Sequence, residues 1–215
     1  MSEASLNFNK TIDFLDHHLD QPLPGYEAQR KMAPLLPDGQ RFNFSHTKAV
    51  KQGAVLILFY PSNDKVMFPL IQRPQYNGVH SGQVALPGGK QDDIDHSLVQ
   101  TALREANEEI GIDDAKVKVL GTLTELYVQA SNINVLPVIG YTKEKLSFRP
   151  DRHEVEEVMP TNLYDLLDTK KHRVSDIKVR QEISLRAPFF DLHEKVVWGA
   201  TAMILSELVE IFRNY

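Results

Sequence analysis

The feature that most constrains this chain is a short glycine-rich stretch followed by an acidic helical segment. Ser97 with Gln100 three residues later is a capping-box start, and Gly111 is a C-terminal stop, so the sequence predicts a helix over about residues 98–110. The glycine-rich stretch and the acidic segment read Pro87-Gly88-Gly89-Lys90 and Arg104-Glu105-Ala106-Asn107-Glu108-Glu109-Ile110-Gly111-Ile112. The chain is therefore expected to place a glycine loop beside an acidic helix.

The predicted helix has two chemically different faces. At about 100° per residue, one narrow stripe holds the apolar residues, and the acidic residues cluster roughly 140° away. The two sets are Val99, Leu103, Ala106 and Ile110, and Glu105, Glu108 and Glu109. Carboxylates at these spacings repel one another, and a hard divalent ion such as Mg²⁺, which prefers oxygen ligands, would relieve the repulsion. The alternative interpretation of a bare E-x-x-E-E pattern is a solvated charged face.

The residues around this pattern favour the metal site. The stretch 104–112 matches, without a gap, the second half of the pattern G-x5-E-x7-R-E-U-x-E-E-x-G-U, where U is aliphatic, and the chain thus resembles the Nudix superfamily. In the first half, counted from Gly89, Asp95 occupies the glutamate position, and eight residues rather than seven separate it from Arg104. The extra residue lengthens the loop and not the helix, so the helical assignments are kept.

The residues that flank this pattern are similar to the coenzyme A diphosphatase branch of this superfamily. The similarity covers about residues 50 to 212 and includes Arg73, His80-x-Gly82-Gln83 and the lengthened loop. It departs from the branch at Asn77-Gly78, where a basic residue is usual, and at Leu86, where Phe is usual. These departures bear on the substrate more than on the chemistry.

The resemblance implies a role for each candidate residue. Glu105, Glu108, Glu109 and the carbonyl of Gly89 are the implied ligands of Mg²⁺, for which Mn²⁺ is a possible substitute. Arg104 is implied to orient the glutamates, and Glu105 acts as a ligand, as the base, or as both.

Further residues are expected at the substrate. Arg73, His80 and Gln83 are the expected substrate-binding residues, because a fixed guanidinium suits a phosphate. The alternatives are a surface salt bridge for Arg73 and a structural role for His80. Glu157, ranked above Glu154, is the possible additional base, with a solvent-facing strand acid as the alternative.

The implied activity is hydrolysis of a nucleoside diphosphate linked to another moiety. Coenzyme A or acyl-coenzyme A is the favoured substrate, giving 3′,5′-ADP and (acyl)phosphopantetheine. Two alternatives stay open, which are an ADP-ribose or other nucleotide-sugar pyrophosphatase and a non-catalytic nucleotide-binding module. The intact acidic pattern favours an enzyme, since mutually repelling acids would be free to change once activity was lost.

Composition excludes several other classes of protein. A formal charge of −5 with no long basic run argues against nucleic acid as a ligand, and the absence of cysteine is compatible with a reducing cytosol. No apolar run has the length of a membrane span, and the N-terminus lacks the signature of a signal peptide. We therefore expect a cytoplasmic protein with a small-molecule nucleotide substrate, no membrane or nucleic-acid partner, and a possible homodimer.

The hydrophobic pattern predicts an α/β fold. Residues 54–73 read as a hairpin with a turn at 61–64, in which Pro69 implies an edge or a bulge, and residues 116–125 and 133–141 read as further strands. Strands on both sides of a crossover helix imply a mixed sheet covered by helices on both faces, and the resemblance implies the α/β/α Nudix sandwich.

The two ends of the chain complete the predicted organisation. Residues 1–48 are assigned to an N-terminal helix with an irregular, proline-containing connector over 21–48, and residues 49–215 to the Nudix domain. Thr161 is expected to cap a short helix, and the basic cluster 170–173 to lie in a loop, either solvated or meeting an anionic substrate arm.

Overall fold

The computed structural model describes residues 7–35, 51–78, 80–180 and 183–215. The α-helices are α1 (Phe8–Leu19), α2 (Gly25–Gln29), α3 (Leu98–Ile110), α4 (Leu163–Leu167) and α5 (Gly199–Ile211). Short 3₁₀ turns lie at Arg30–Met32, Asp114–Lys116, Thr169–Lys171 and Phe212–Asn214. Among the described residues, no helix is long and apolar enough to cross a membrane.

The strands form one large mixed sheet and one small antiparallel sheet. Those of the large sheet are β1 (Lys51–Ser62), β2 (Lys65–Gln72), β3 (Val84–Ala85), β4 (Gly88–Lys90), β5 (Lys118–Thr122), β6 (Leu126–Val128), β7 (Ile133–Tyr141) and β8 (Glu157–Asn162). Those of the small sheet are β9 (His172–Arg180), β10 (Ile183–Leu192) and β11 (Lys195–Trp198), in the order β11-β10-β9. In the large sheet β1 and β7 are parallel, and their other partners are antiparallel.

Strand β1 carries the core on both of its faces. Successive side chains of a strand point to opposite faces, so Leu56 and Leu58 pack towards α3, whereas Ile57 and Phe59 pack into the cluster that contains α5. This continuous burial explains why residues 54–60 form an uninterrupted apolar run. The predicted α/β/α layering and mixed sheet are confirmed.

The N-terminal helix packs into the same core as α5. Ile12 and Leu15 of α1 lie in the cluster that contains Leu205 and Leu208 of α5. The predicted irregular connector is wrong for residues 25–32, which form α2 and a 3₁₀ turn, because α2 is held against α5. The rest of that connector after Leu35 lies outside the described residues.

Pro69, for which the sequence predicted a sheet edge or a bulge, lies in the middle of β2. On one side β2 pairs with β8, with Pro69 opposite Pro160. On the other side β1 pairs with Lys65–Met67 and β3 pairs with residues 71–72. Pro69 thus falls in the gap between the β1 and β3 pairings, where its missing N–H interrupts no ladder.

Two further predictions near the C-terminus are wrong. Thr161 lies inside β8, and Asn162 is the cap of α4, since its side chain accepts a hydrogen bond from Tyr164 N at 3.1 Å. The basic residues 170–173 form a 3₁₀ turn and the start of β9, where Lys171 pairs with Asp165 and Arg173 pairs with Asp191. Two residues of the basic cluster, Lys171 and Arg173, are therefore engaged by acidic residues of the protein itself.

Candidate active site

Helix α3 begins and ends where the sequence predicts. The Ser97 hydroxyl accepts a hydrogen bond from Gln100 N at 3.2 Å, which satisfies a free N–H of the first turn. Gly111, in the left-handed region with φ of 70°, donates its N–H to Asn107 O at 2.8 Å. These two ends fix the rotation of the helix about its axis and hence the directions of its acidic side chains.

The faces of α3 differ from the predicted ones in one respect. Ala106 and Ile110 are buried against β1 as predicted, whereas Val99 and Leu103 are only partly buried. Glu109, expected on the acidic face, is buried at the base of the helix. The boundary between apolar and acidic faces therefore runs through the helix–sheet interface.

Glu109 is the most buried of the three helical glutamates, with 1% of its surface exposed. Its Oε2 accepts a hydrogen bond from Gly88 N at 2.8 Å, and its Oε1 lies 3.6 Å from Arg73 Nη2. Burial raises the pKa of Glu109 to about 7, although Arg73 and the Gly88 N–H act in the opposite direction. This carboxyl group therefore exchanges its proton in the neutral range.

Glu105 lies against the backbone of Gly89. A Cβ atom on Gly89 would overlap the Glu105 carboxylate, so this side chain lies close to the peptide group only because residue 89 has no side chain of its own. Burial is the largest cause that raises the pKa of Glu105, the carboxylates of Glu108 and Glu154 raise it further, and Arg104 opposes them. The sequence thus brings an acidic side chain onto an unshielded peptide group.

Glu105 and Glu109 line one cavity of about 550 Å³. Its wall continues through the glycine stretch 88–90, the loop that follows β2, and the start of α5. Its acidic side chains lie on one side and the Arg73 guanidinium is nearby, so the cavity can take both a cation and an anion.

Arg104 holds the acidic residues together from beside the cavity. Its Nη1 lies 2.9 Å from Glu108 Oε2, and its Nη2 lies 3.0 Å from Glu105 Oε1. Nη2 also donates to Lys90 O at 3.1 Å and to Asp95 Oδ2 at 2.8 Å. Glu108 is more than half exposed and is held by Arg104 outside the wall of the cavity.

Asp95, which occupies the glutamate position of the pattern, faces Arg104 and Thr101. It accepts hydrogen bonds from Arg104 Nε at 2.9 Å, from Thr101 Oγ1 at 2.9 Å and from Asp92 N at 3.0 Å. The hydrogen bonds from Arg104 are the main reason that the pKa of Asp95 lies well below its usual range. Asp95 therefore fixes the orientation of Arg104.

The loop after β2 brings the predicted substrate residues to the cavity. Arg73, His80 and Gln83 all line it, and His80 Nδ1 lies 3.0 Å from Gln83 Oε1. The loop is closed by hydrogen bonds from Arg73 N to Gln83 O, from Gly82 N to Pro74 O, and from the Gln72 side chain to Gly82 O. The buried Gln72 is a loop anchor that sequence reasoning missed.

A segment that caps the C-terminal end of α3 delivers a third acid to the cavity. Arg149 N donates to Ile110 O at 2.9 Å, and Asp151 N donates to Glu109 O at 3.0 Å. A turn closed by Asp151 O and Glu154 N at 3.1 Å follows, and Glu154 lines the cavity. The free carbonyl groups at the end of α3 therefore position the residue that the sequence ranked second.

Glu157 lies away from these residues. It begins β8, is more than half exposed, and forms an ion pair with Lys195 at 3.0 Å. The structure thus brings Glu154, and not Glu157, beside Glu105 and Glu109. Strand register is the reason, because Glu157 lies opposite Gln72 on β2.

Comparison with known proteins assigns this arrangement to a family. Residues 50–183 match the NUDIX domain. The chain belongs to the Nudix family. It is 34% identical over 155 residues to the uncharacterized Nudix hydrolase NudL of Yersinia enterocolitica, across 67% of this chain and 78% of that protein. It is 31% identical over 174 residues to NudL of Yersinia pestis, across 81% of this chain and 86% of that protein.

Solved structures share the Nudix fold. RenU, a Nudix hydrolase of M. smegmatis, has a TM-score of 0.54 at 20% identity and covers 84% of this chain and 94% of its own. An Ap4A hydrolase of C. elegans has a TM-score of 0.51 at 15% identity and covers 77% of this chain and all of its own. With the family match and the NudL relatives, the protein is a Nudix hydrolase, a pyrophosphohydrolase of nucleotide-linked substrates.

The donor atoms of this Nudix site suit a hard divalent cation. Carboxylates of Glu105, Glu109 and Glu154 face one cavity beside the Gly89 peptide group, and oxygen donors are what Mg²⁺ and Mn²⁺ prefer. Within the described ranges, no three acidic, histidine or cysteine side chains already converge on one point. Glu108 lies outside this cavity and is paired with Arg104. The residues fit such an ion in the chemistry of their oxygen donors.

Proposed function

We propose that this Nudix hydrolase cleaves the pyrophosphate of coenzyme A or acyl-coenzyme A, giving 3′,5′-ADP and (acyl)phosphopantetheine. The observation that carries the proposal is that the loop residues similar to the coenzyme A diphosphatase branch, Arg73, His80 and Gln83, line the same cavity as Glu105 and Glu109. The segment that resembles the Nudix pattern and the loop that resembles the coenzyme A diphosphatase branch thus line the same cavity.

In this proposal Mg²⁺ is the cofactor and Mn²⁺ a substitute. Glu105, Glu108, Glu109 and the Gly89 carbonyl would hold the ion, and Arg104 positions the carboxylates. When bound, such an ion neutralises charge on the phosphate oxygens and lowers the pKa of a bound water. Burial is the main cause that raises the pKa values of Glu105 and Glu109, with a smaller contribution from neighbouring carboxylates, and a bound cation would offset both effects.

The substrate anion is placed by the cationic wall of the site. Arg73 lies 3.6 Å from Glu109 and donates to Gly88 O at 3.3 Å, so its guanidinium is held in one direction with further N–H groups available for a phosphate oxygen. His80 is oriented by its contact with Gln83. These residues bind and orient the pyrophosphate for attack in line with the leaving group.

Glu154 is the proposed general base. A water attacks one phosphorus, the bridging P–O bond breaks, and the proton released by the water passes to a carboxylate. Glu154 lies in the cavity with the acidic residues, whereas Glu157 is engaged with Lys195. A base must lie within hydrogen-bond reach of the proton that it removes, which favours Glu154.

Product analysis tests the proposal. The purified chain would be incubated with and without Mg²⁺ and with coenzyme A, acetyl-coenzyme A, ADP-ribose, diadenosine polyphosphates or NADH, and the products separated by chromatography. We expect Mg²⁺-dependent release of 3′,5′-ADP from coenzyme A at the highest kcat/KM. Preference for ADP-ribose or another nucleotide would support the pyrophosphohydrolase activity and contradict the assignment of coenzyme A as its substrate.

A further inference from the structure

A second cavity of about 800 Å³ opens beside the active-site cavity. The two share His80, Gln83 and Trp198 in their walls, so they are adjacent. The far wall comes from the small sheet, through Val196 and Lys178, and from the β6–β7 turn. A volume of about 300–1,000 Å³ accommodates a drug-sized ligand, so this cavity has room for a large group attached to the pyrophosphate.

The second cavity has four glutamines among its polar lining residues. Gln72, Gln75, Gln83 and Gln129 line it, between apolar residues and Trp198. Gln72 gives its NH₂ group to Gly82 O, and Gln83 accepts at its oxygen from His80. Among the described residues the other end of each of these two amides makes no hydrogen bond, which leaves an acceptor on Gln72 and a donor on Gln83.

The charged residues in this wall are two lysines and one glutamate, Lys178, Lys195 and Glu156. Lys195 is already paired with Glu157 at 3.0 Å. A neutral group with amide N–H and C=O groups matches the donors and acceptors of the glutamines in the same wall.

We propose that this amide-lined second cavity binds the neutral, amide-bearing arm of the substrate, on the opposite side of the pyrophosphate from the nucleotide. This inference rests on the proposed function, in which that arm is the pantetheine group of coenzyme A. It assigns specificity for the arm to Gln72, Gln83, Val196 and Trp198, outside the residues of the acidic helix. The small sheet thereby acquires a function as the wall of a substrate subsite.

Equilibrium binding without divalent ions tests the subsite independently of turnover. Calorimetric titrations would compare coenzyme A with adenosine 3′-phosphate 5′-diphosphate, which keeps both phosphates of the pyrophosphate and lacks only the arm. The test variant is Val196→Trp, which fills the second cavity, and the matched control is Val174→Trp on the same sheet, where the side chain is 50% exposed against 43% for Val196 and lines neither cavity. Aromatic residues are well tolerated on strands, so both variants should fold.

The expected result is a selective loss of arm binding. Wild-type protein should bind coenzyme A more tightly than adenosine 3′-phosphate 5′-diphosphate. Val196→Trp should weaken binding of coenzyme A by about tenfold while leaving binding of adenosine 3′-phosphate 5′-diphosphate within about twofold. Val174→Trp should change neither. Equal affinity of wild type for the two ligands, or equal effects of the two variants on coenzyme A, would overturn the inference.

Failure of the subsite can be distinguished from failure of the proposed function. Arm-dependent binding that Val196→Trp removes, without hydrolysis of coenzyme A by the Mg²⁺-loaded wild type, would support the subsite and reject the proposed reaction. Hydrolysis of coenzyme A with equal kcat/KM in Val196→Trp and Val174→Trp would support the reaction and reject the subsite.

Discussion

Arg104 binds both carboxylate oxygens of Asp95, through Nε at 2.9 Å and Nη2 at 2.8 Å. The same guanidinium contacts Glu105 and Glu108, so its bidentate pair with Asp95 holds it where it orients these two carboxylates. Asp95, which occupies the first acidic position of the Nudix pattern, therefore acts on the site through Arg104.

Replacing Asp95 by Asn should destabilise the protein and lower its activity. The Asp95 side chain is fully buried, and Asn would remove its charge and set an NH₂ group against donors. Arg104 keeps Glu105 and Glu108 as partners, so the expected loss is about 1–3 kcal/mol. Urea unfolding would measure the loss against Asp93→Asn, an exposed neighbour that should change stability by less than about 0.5 kcal/mol. Equal stability of the two variants would contradict the positioning role.

The same pair predicts a pH dependence of stability. The pKa of Asp95 is lower in the folded protein than in the unfolded chain, so its stabilising contribution is present above the unfolded pKa and is lost as pH falls below it. The difference in unfolding free energy between wild type and Asp95→Asn should therefore shrink below about pH 4. A difference that stays constant down to pH 2 would count against the ion pair.

Glu109 is expected to give the metal-free protein the opposite pH dependence, in which stability falls as pH rises. The pKa of Glu109 in the folded protein is raised from 4.5 to about 7. Protonated Glu109 therefore stabilises the folded state fully below the unfolded pKa, and this stabilisation is lost as pH rises through about 7. Metal-free wild type should thus lose stability relative to Glu109→Gln between about pH 5 and 8. Mg²⁺ should raise the Tm of wild type more at pH 8 than at pH 6, because proton and cation compete for the carboxylate.

Thermal unfolding in a chelating buffer, followed by addition of Mg²⁺, measures both effects. Glu157→Gln is the control, since Glu157 is exposed and lies outside the cavity. A stabilisation by Mg²⁺ that is independent of pH, or equal in wild type and Glu109→Gln, would remove Glu109 from the metal-binding set.

Glu154 and Glu157 form a matched pair for the base. Both are glutamates of one segment, and only Glu154 lines the cavity with Glu105 and Glu109. Glu154→Gln should lower kcat by about 10²–10⁴-fold with little change in KM, whereas Glu157→Gln should remain within a few-fold of wild type. A larger loss of kcat in Glu157→Gln than in Glu154→Gln would restore the order given by the sequence.

The sequence predicted what depends on local chemistry and missed what depends on distant contacts. The ends of α3 were predicted correctly because Ser97 and Gly111 act within one turn of the helix. The order of Glu154 and Glu157 depends on how the chain after β7 meets the end of α3, and spacing alone carries no such signal. Strands β9 and β10 were missed because they contain no continuous apolar run, although the apolar–polar alternation over residues 183–187 is a signal that could have indicated β10.

The division of the chain at residue 48 stays a prediction, and Glu207 offers a test of it. The buried Glu207 of α5 accepts hydrogen bonds from Gly25 N at 3.0 Å, Gln29 Nε2 at 2.9 Å and Thr124 Oγ1 at 2.7 Å. Every partner is a donor, so Glu207→Gln would set an NH₂ group against donors and leave buried groups unsatisfied, at about 2–4 kcal/mol in total. We expect the N-terminal segment to be an integral part of the domain, with one cooperative unfolding transition shifted by that amount.

Glu210→Gln on the same helix is the control. Glu210 pairs with Lys31 and Arg213 near the surface, so its replacement should change stability by less than about 1 kcal/mol. Urea unfolding followed by circular dichroism, with limited proteolysis near residue 35, would compare the two variants. If Glu207→Gln releases the N-terminal segment to protease while the main transition and kcat are unchanged, then this segment is a separate appendage, because its contacts with α5 contribute nothing to the cooperative unit.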